Sequence, residues 1–66
     1  MSIEIGSRFQ ISQAIQEYLN SAETLTVISN NGVTIQFSLG DAKGHGSMPI
    51  EHFQYLQKKL NLKIIP

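Results

Sequence analysis

The chain has 66 residues, enough for one small domain over 1–66, and a domain of this size buries only about 60% of its unfolded surface. Five basic and five acidic residues give a formal net charge of zero, which argues against the basic surface typical of nucleic-acid-binding domains. The absence of cysteine excludes disulfide bonds and thiolate zinc sites. A second copy or a partner protein is therefore the remaining source of additional burial.

Hydropathy along the chain argues against a membrane protein and against a secreted one. No apolar run approaches the ~18 residues of a membrane-spanning helix. The first four residues, Met-Ser-Ile-Glu, lack the basic start and the long apolar core of a signal peptide. We therefore expect a soluble, cytoplasmic protein that does not contact a membrane.

The first predicted elements are a short strand over residues 2–5 and an amphipathic helix that begins near Ser7 and ends around Asn20. Apolar residues recur from Ile11 onward at the spacing of one helical stripe, and Ser7 has the glutamine of a capping box three residues later. Alternation of apolar residues can also be followed as far as Ile11. In that case the strand is longer and Ser12 caps the helix.

Residues 23–39 predict a β-hairpin, because two runs of alternating apolar residues flank the turn sequence Asn-Asn-Gly at 30–32. A three-residue loop at 30–32 pairs Val27 with Ile35 and places the alternating apolar side chains on one face. A two-residue turn would instead place the apolar side chains of the two strands on opposite faces. We therefore predict the three-residue loop, with Gly32 in the left-handed conformation.

The second half of the chain predicts a loop, a helix and a strand. Three glycines within 40–47 indicate a flexible connection, or alternatively a loop that binds a ligand or a partner. Pro49 is typical of the first turn of a helix, and apolar residues at helical spacing continue from there to a stop near Asn61. Residues 62–65 read as a short terminal strand, with Pro66 at its end.

The order of these elements, β-α-β-β-α-β, predicts a single small α+β domain of the ferredoxin-like, split βαβ class. Right-handed crossovers place both helices on one face of a two-layer domain whose sheet has an antiparallel centre. The end strands over 2–5 and 62–65 are very short. If they do not pair, a helix–hairpin–helix arrangement, α-β-β-α, remains.

The sheet face that the two predicted helices leave uncovered is the candidate functional surface. On the hairpin it carries small uncharged polar residues and one isoleucine, although it can equally be an ordinary solvated face. We predict that it docks on a partner protein or on a second copy, giving a homodimer, through the face itself or an edge strand. Its residues are Thr24, Thr26, Ile28, Thr34, Gln36 and Ser38.

Nucleic-acid binding is the alternative function. The predicted outer face lacks the aromatic residues on which RNA-recognition sheets stack bases, so contacts would have to come from lysines near the C-terminal end. Zero net charge disfavours this mode. The candidate lysines are Lys43, Lys58, Lys59 and Lys63.

The sequence provides no pattern typical of an enzyme or of a metal protein. There is no cysteine nucleophile, and no serine has a histidine and a carboxylate at a recognisable spacing. His45 and His52 are the only histidines and do not form an i, i+4 pair. We therefore predict a non-enzymatic regulatory or interaction module with no catalytic residues, no cofactor and no metal.

Overall fold

Residues 3–65, the part of the chain described by the computed structural model, form a five-stranded antiparallel sheet with one α-helix and one 3₁₀ helix. The order of the strands across the sheet is β4-β3-β2-β1-β5, so β4 and β5 are its two edges. The elements are β1 (Arg8–Ile11), the 3₁₀ helix (Gln13–Leu19), β2 (Thr24–Asn30), β3 (Thr34–Leu39), β4 (Gly44–Pro49), α1 (Ile50–Lys58) and β5 (Leu62–Ile65).

α1 packs against one face of the sheet. It contacts β3 and both edge strands, β4 and β5, to which it is joined along the chain. Phe53 of α1 and Phe9 of β1 pack edge to face, with ring centroids 5.1 Å apart. The face that α1 covers is therefore the core face, called the inner face below, and the opposite face is the outer face.

The ferredoxin-like prediction is wrong, and so is its α-β-β-α alternative. The sheet has five strands and carries one α-helix, whereas the prediction required four strands and two helices on one face. Residues 3–7 are not a strand, although Ile3 is buried, and Ser2 lies outside the described residues. The first strand is Arg8–Ile11, which agrees with the longer alternation considered above and leaves Ser12 just before the 3₁₀ helix.

Alternation wins over the helical stripe at this point because of what each pattern can bury. Phe9 and Ile11 are nearly inaccessible in the strand, with exposed fractions of 2% and 1%. The 3₁₀ helix that follows has no fully buried residue, and only Ile15 and Leu19 pack partly against the core. Tyr18, which belongs to the predicted stripe, is 78% exposed. A strand here therefore buries more apolar area than the predicted helix would, and this favours the strand.

The glycine-rich segment is a turn and a strand, so the prediction of a flexible connection over 40–47 is wrong. Asp41 and Ala42 take left-handed φ values of 58° and 57°, and Gly44 starts β4 with φ 107°. Met48 of this strand is buried opposite Ile35. The alternation of apolar and polar residues in β4 cannot be recognised in the sequence, because its glycines contribute no side chain to either face.

The last two elements are confirmed, but their arrangement is not the predicted one. The helix Ile50–Lys58 directly follows Pro49, and the strand Leu62–Ile65 follows a left-handed Leu60. This strand pairs antiparallel with β1 at one edge of the sheet, and α1 carries the chain to it from β4, a strand at the opposite edge that the prediction did not contain. Pro66 lies outside the described residues.

The hairpin has the predicted faces and a different register. Val27 pairs with Phe37 instead of Ile35, a shift of two residues, and a bulge at Ile28 moves the rest of β2 by one more. A shift of two keeps every side chain on its face, so the apolar pattern alone cannot detect it. The loop is 31–33 instead of the predicted 30–32, and Gly32 is left-handed at φ 86° as predicted.

One close contact between β3 and β4 gives a test of this packing. The Phe37 ring lies directly against Gly46, where a Cβ would come 2.7 Å from the ring Cε1. We expect Gly46→Ala to reduce the free energy of unfolding by about 1–3 kcal/mol because the ring is fully enclosed. Urea denaturation of the variant measures this, with the exposed Ser47→Ala as a control expected within ~0.5 kcal/mol of the wild type. Equal stability of Gly46→Ala and the control would contradict the packing.

Candidate functional site

β4 is a sheet edge without charged residues. Its six residues pair with β3 from Gly44 to Pro49 without a bulge, and no described residue pairs with its outer side. Edge strands are usually protected from pairing by charges, prolines, bulges or short length, and of these β4 has only the proline at its last residue. The opposite edge, β5, has only four residues and carries Lys63. The two edges therefore differ in their availability to another strand.

Hydrogen bonding determines which backbone groups of β4 are free. The Ile50 N–H donates to the Val33 carbonyl at 2.9 Å, and these residues continue the β3–β4 register by one position. Hydrogen-bonded and non-hydrogen-bonded pairs alternate along an antiparallel ladder, so alternate residues of β4 direct their N–H and C=O groups away from β3. Those facing β3 are Gly44, Gly46 and Met48, and those facing outward are His45, Ser47 and Pro49.

Pro49 fits this assignment. A proline has no N–H to donate, and in a sheet it is tolerated where the missing donor would point away from the ladder. At Pro49 the missing donor lies on the free side of β4, so no bond to β3 is lost. The outward row therefore contains the N–H and C=O of His45, the N–H and C=O of Ser47, and the C=O of Pro49.

An apolar groove borders the inner side of this edge. It has a volume of about 380 Å³ and lies between β4, α1 and the 3₁₀ helix. The 3₁₀ helix is held beside β4 because the Asn20 side-chain amide donates to the Lys43 carbonyl at 3.0 Å. None of the residues that line the groove carries a formal charge. They are Ile15, Tyr18, Leu19, Ser47, Met48, His52 and Leu56.

A second depression borders the outer side of the same edge. Ile28, Gln36, His45, Gly46 and Ser47 line it, and its volume is about 330 Å³. Ile28 is 46% exposed there and stands at the bulge of β2. Each side of β4 thus has a recess into which the side chains of an added strand can project.

The predicted docking residues all lie on the outer face, and none of them is buried. Only Ile28 and Gln36 line the depression next to β4, while Thr24, Thr26, Thr34 and Ser38 do not. The face is also less neutral than the sequence indicated, because Arg8 is the cross-strand neighbour of Thr26. The structure therefore singles out one margin of the predicted surface.

The four candidate lysines come from three different parts of the fold. Lys43 is in the β3–β4 turn, Lys58 and Lys59 are at the end of α1, and Lys63 is in β5. Lys59 lies over the Tyr55 ring, with its Nζ 5.7 Å from the ring centre. Lys63 lines a polar cleft of about 460 Å³ together with the carboxylate residue Glu23. A lysine that shares its cleft with a carboxylate is less suited to a phosphate backbone.

The histidines occupy the two sides of the β4 edge. His45 lines the outer depression and His52 the apolar groove, where its ring stacks on Tyr55 at 6.4 Å between centroids. Over residues 3–65 no three histidine or acidic side chains cluster closely enough to hold a metal ion. No helix in the same range is long and apolar enough to cross a bilayer.

Comparisons with protein-family models, with curated protein sequences and with solved structures found no match to this chain. Sequence reasoning missed the β4 edge because glycines conceal the strand. One signal in the sequence could have revealed the strand. Gly44, Gly46 and Met48 follow each other at intervals of two, as residues on one face of a strand do, and the next residue, Pro49, is tolerated in an edge strand.

The assignment of inward and outward backbone groups predicts a pattern of amide exchange. We expect the Gly46 and Met48 amides to exchange on the order of 100-fold more slowly than those of His45 and Ser47, because only the first pair is bonded to β3. Hydrogen–deuterium exchange followed residue by residue by NMR measures this. The amides of β5 provide the control, where Lys63 should be the protected residue and Ile64 the fast one. Similar rates at all four β4 amides would refute the assignment.

Proposed function

We propose that this protein is a small non-enzymatic interaction module that binds an extended segment of another protein along the free edge of β4. The observation that carries the proposal is the outward row of backbone donors and acceptors on an uncharged edge with a recess on each side. In β-strand addition, backbone pairing supplies affinity, and recesses for alternate side chains supply specificity. Both parts are available at β4.

The expected free energies show how backbone pairing and apolar burial share the binding energy. The five outward groups, two each from His45 and Ser47 and one from Pro49, can form five backbone hydrogen bonds. At about 0.5–1.5 kcal/mol each they contribute roughly 2.5–7.5 kcal/mol. Association costs at least ~4 kcal/mol in lost translational and rotational freedom. Backbone pairing alone therefore leaves weak binding, and apolar burial in the groove has to supply most of the net affinity.

The part of the outer face that borders β4 also contributes to binding. Ile28 and Gln36 contact the side chains that an added strand directs to the outer side, whereas the other predicted docking residues form a wider surface around them. A second copy of the chain is the other occupant that the sequence predicts. It is supported by the small size of the domain, which gains burial from any partner.

A single substitution separates strand addition from other modes of binding. Ser47→Pro removes the outward N–H of Ser47 and no bond to β3, so the fold should persist while the edge loses a central donor. Ser47→Ala removes only the hydroxyl and is the matched control. We expect proteins captured from an extract of the native host to be retained by the wild type and by Ser47→Ala, and to be reduced at least about tenfold with Ser47→Pro.

Quantitative mass spectrometry of the captured proteins measures this ratio, and circular dichroism checks that both variants are folded. Partners recovered equally by the wild type and by folded Ser47→Pro would contradict binding along β4. Loss with Ser47→Ala to the same degree would assign the interaction to the hydroxyl group instead of the backbone.

A further inference from the structure

We infer that the segment captured by β4 carries bulky, uncharged apolar side chains two residues apart, and that it belongs to a different protein rather than to a second copy. The inference rests on the proposed strand addition and specifies its occupant. It follows from the direction of side chains along β4, from the charge and volume of the groove, and from the residues that β4 itself would offer.

The two-residue spacing follows from strand geometry. Side chains of paired antiparallel residues lie on the same face of the sheet. Residues of an added strand opposite Gly46 and Met48 therefore project to the inner side, where the apolar groove lies. Residues opposite His45 and Ser47 project to the outer side, where the depression at Ile28 lies. Successive side chains of the segment thus meet different environments.

The groove selects apolar side chains. Its volume of about 380 Å³ falls within the ~300–1,000 Å³ of typical ligand sites. Its walls come mainly from Ile15, Leu19, Met48 and Leu56, and it has no formal charge to compensate a buried one. A charged side chain would lose its hydration there without gaining a partner, which is costly. Opposite Gly46, an apolar side chain would pack beside the Phe37 ring, which lies directly against this glycine.

A second copy does not supply such side chains. The inward-facing residues of β4 are two glycines and Met48, so two copies paired through β4 would place at most one bulky side chain each beside the other's groove. If a twofold axis at Ser47 related the two copies, His45 of each copy would pair with Pro49 of the other, which has no N–H to donate. A stable interface buries about 800 Å² per partner, between a sixth and a fifth of the 4501 Å² surface of this chain. An edge that is one-third glycine provides much less.

A random heptapeptide library displayed on phage tests the inference directly. With the folded wild type as the immobilised target, we expect enriched sequences to carry large apolar residues at positions i and i+2, with uncharged residues between them. The same family of sequences should be enriched on Val33→Ser, a variant at an exposed loop residue outside both recesses, and lost on Ser47→Pro. A synthetic copy of the leading peptide, labelled with fluorescein, then gives dissociation constants by anisotropy.

Two substitutions assign the apolar contacts. Replacing either apolar residue of the peptide by serine should weaken binding about tenfold or more, the effect of removing one buried aliphatic side chain. Tyr18→Ser removes an exposed wall of the groove without touching the core, and should weaken the same peptide severalfold. Val33→Ser, an exposed loop residue away from the groove, is the control and should bind like the wild type.

The possible results distinguish this inference from the proposal on which it rests. Enriched peptides that depend on the Ser47 N–H but lack the two-residue spacing would overturn the inference and leave strand addition intact. Enrichment that persists on Ser47→Pro would overturn both. A library without any enriched sequence would overturn the inference. Sedimentation equilibrium should show a monomer, and a stable dimer that Ser47→Pro dissociates would identify a second copy as the occupant.

Discussion

The edge-to-face contact between Phe53 and Phe9 is the interaction on which the arrangement of the sheet depends. It holds α1 across the inner face, with ring centroids 5.1 Å apart and an angle of 84° between the rings. The helix starts at the end of β4 and delivers the chain to the far side of the sheet, where β5 pairs with β1. Because the last strand is added there, the outer side of β4 receives no partner among the described residues.

This arrangement links the core to the proposed function. α1 and the 3₁₀ helix flank the inner side of β4, and together with this strand they form the apolar groove. The bulge at Ile28 exposes an apolar side chain on the opposite side of the same strand. The edge is therefore recessed on both faces, which an ordinary solvated edge is not. Packing that stabilises the domain also shapes the site.

The sequence predicted those parts of the fold that depend on local periodicity. Alternation located the inner face of the hairpin, and the proline, apolar spacing and terminal residues located α1 and β5. It could not supply the register, since a two-residue shift leaves Val27 and Phe37 on the same face. It also could not reveal β4, because Gly44 and Gly46 have no side chains and so show no alternation of apolar and polar residues. Ile28 and Gln36 were recognised as candidates, whereas the outward backbone groups of His45, Ser47 and Pro49 leave no trace in the side-chain pattern.

Exchange of the Ser47 amide with and without a bound segment tests the central claim most directly. A strand added to β4 must accept a hydrogen bond from this N–H, which is otherwise open to solvent. With a captured partner segment at saturation, we expect its exchange to slow by on the order of 100-fold, while the Ile64 amide on the opposite edge is unchanged. Unchanged exchange at Ser47 in a saturated complex would show that partners bind this protein elsewhere.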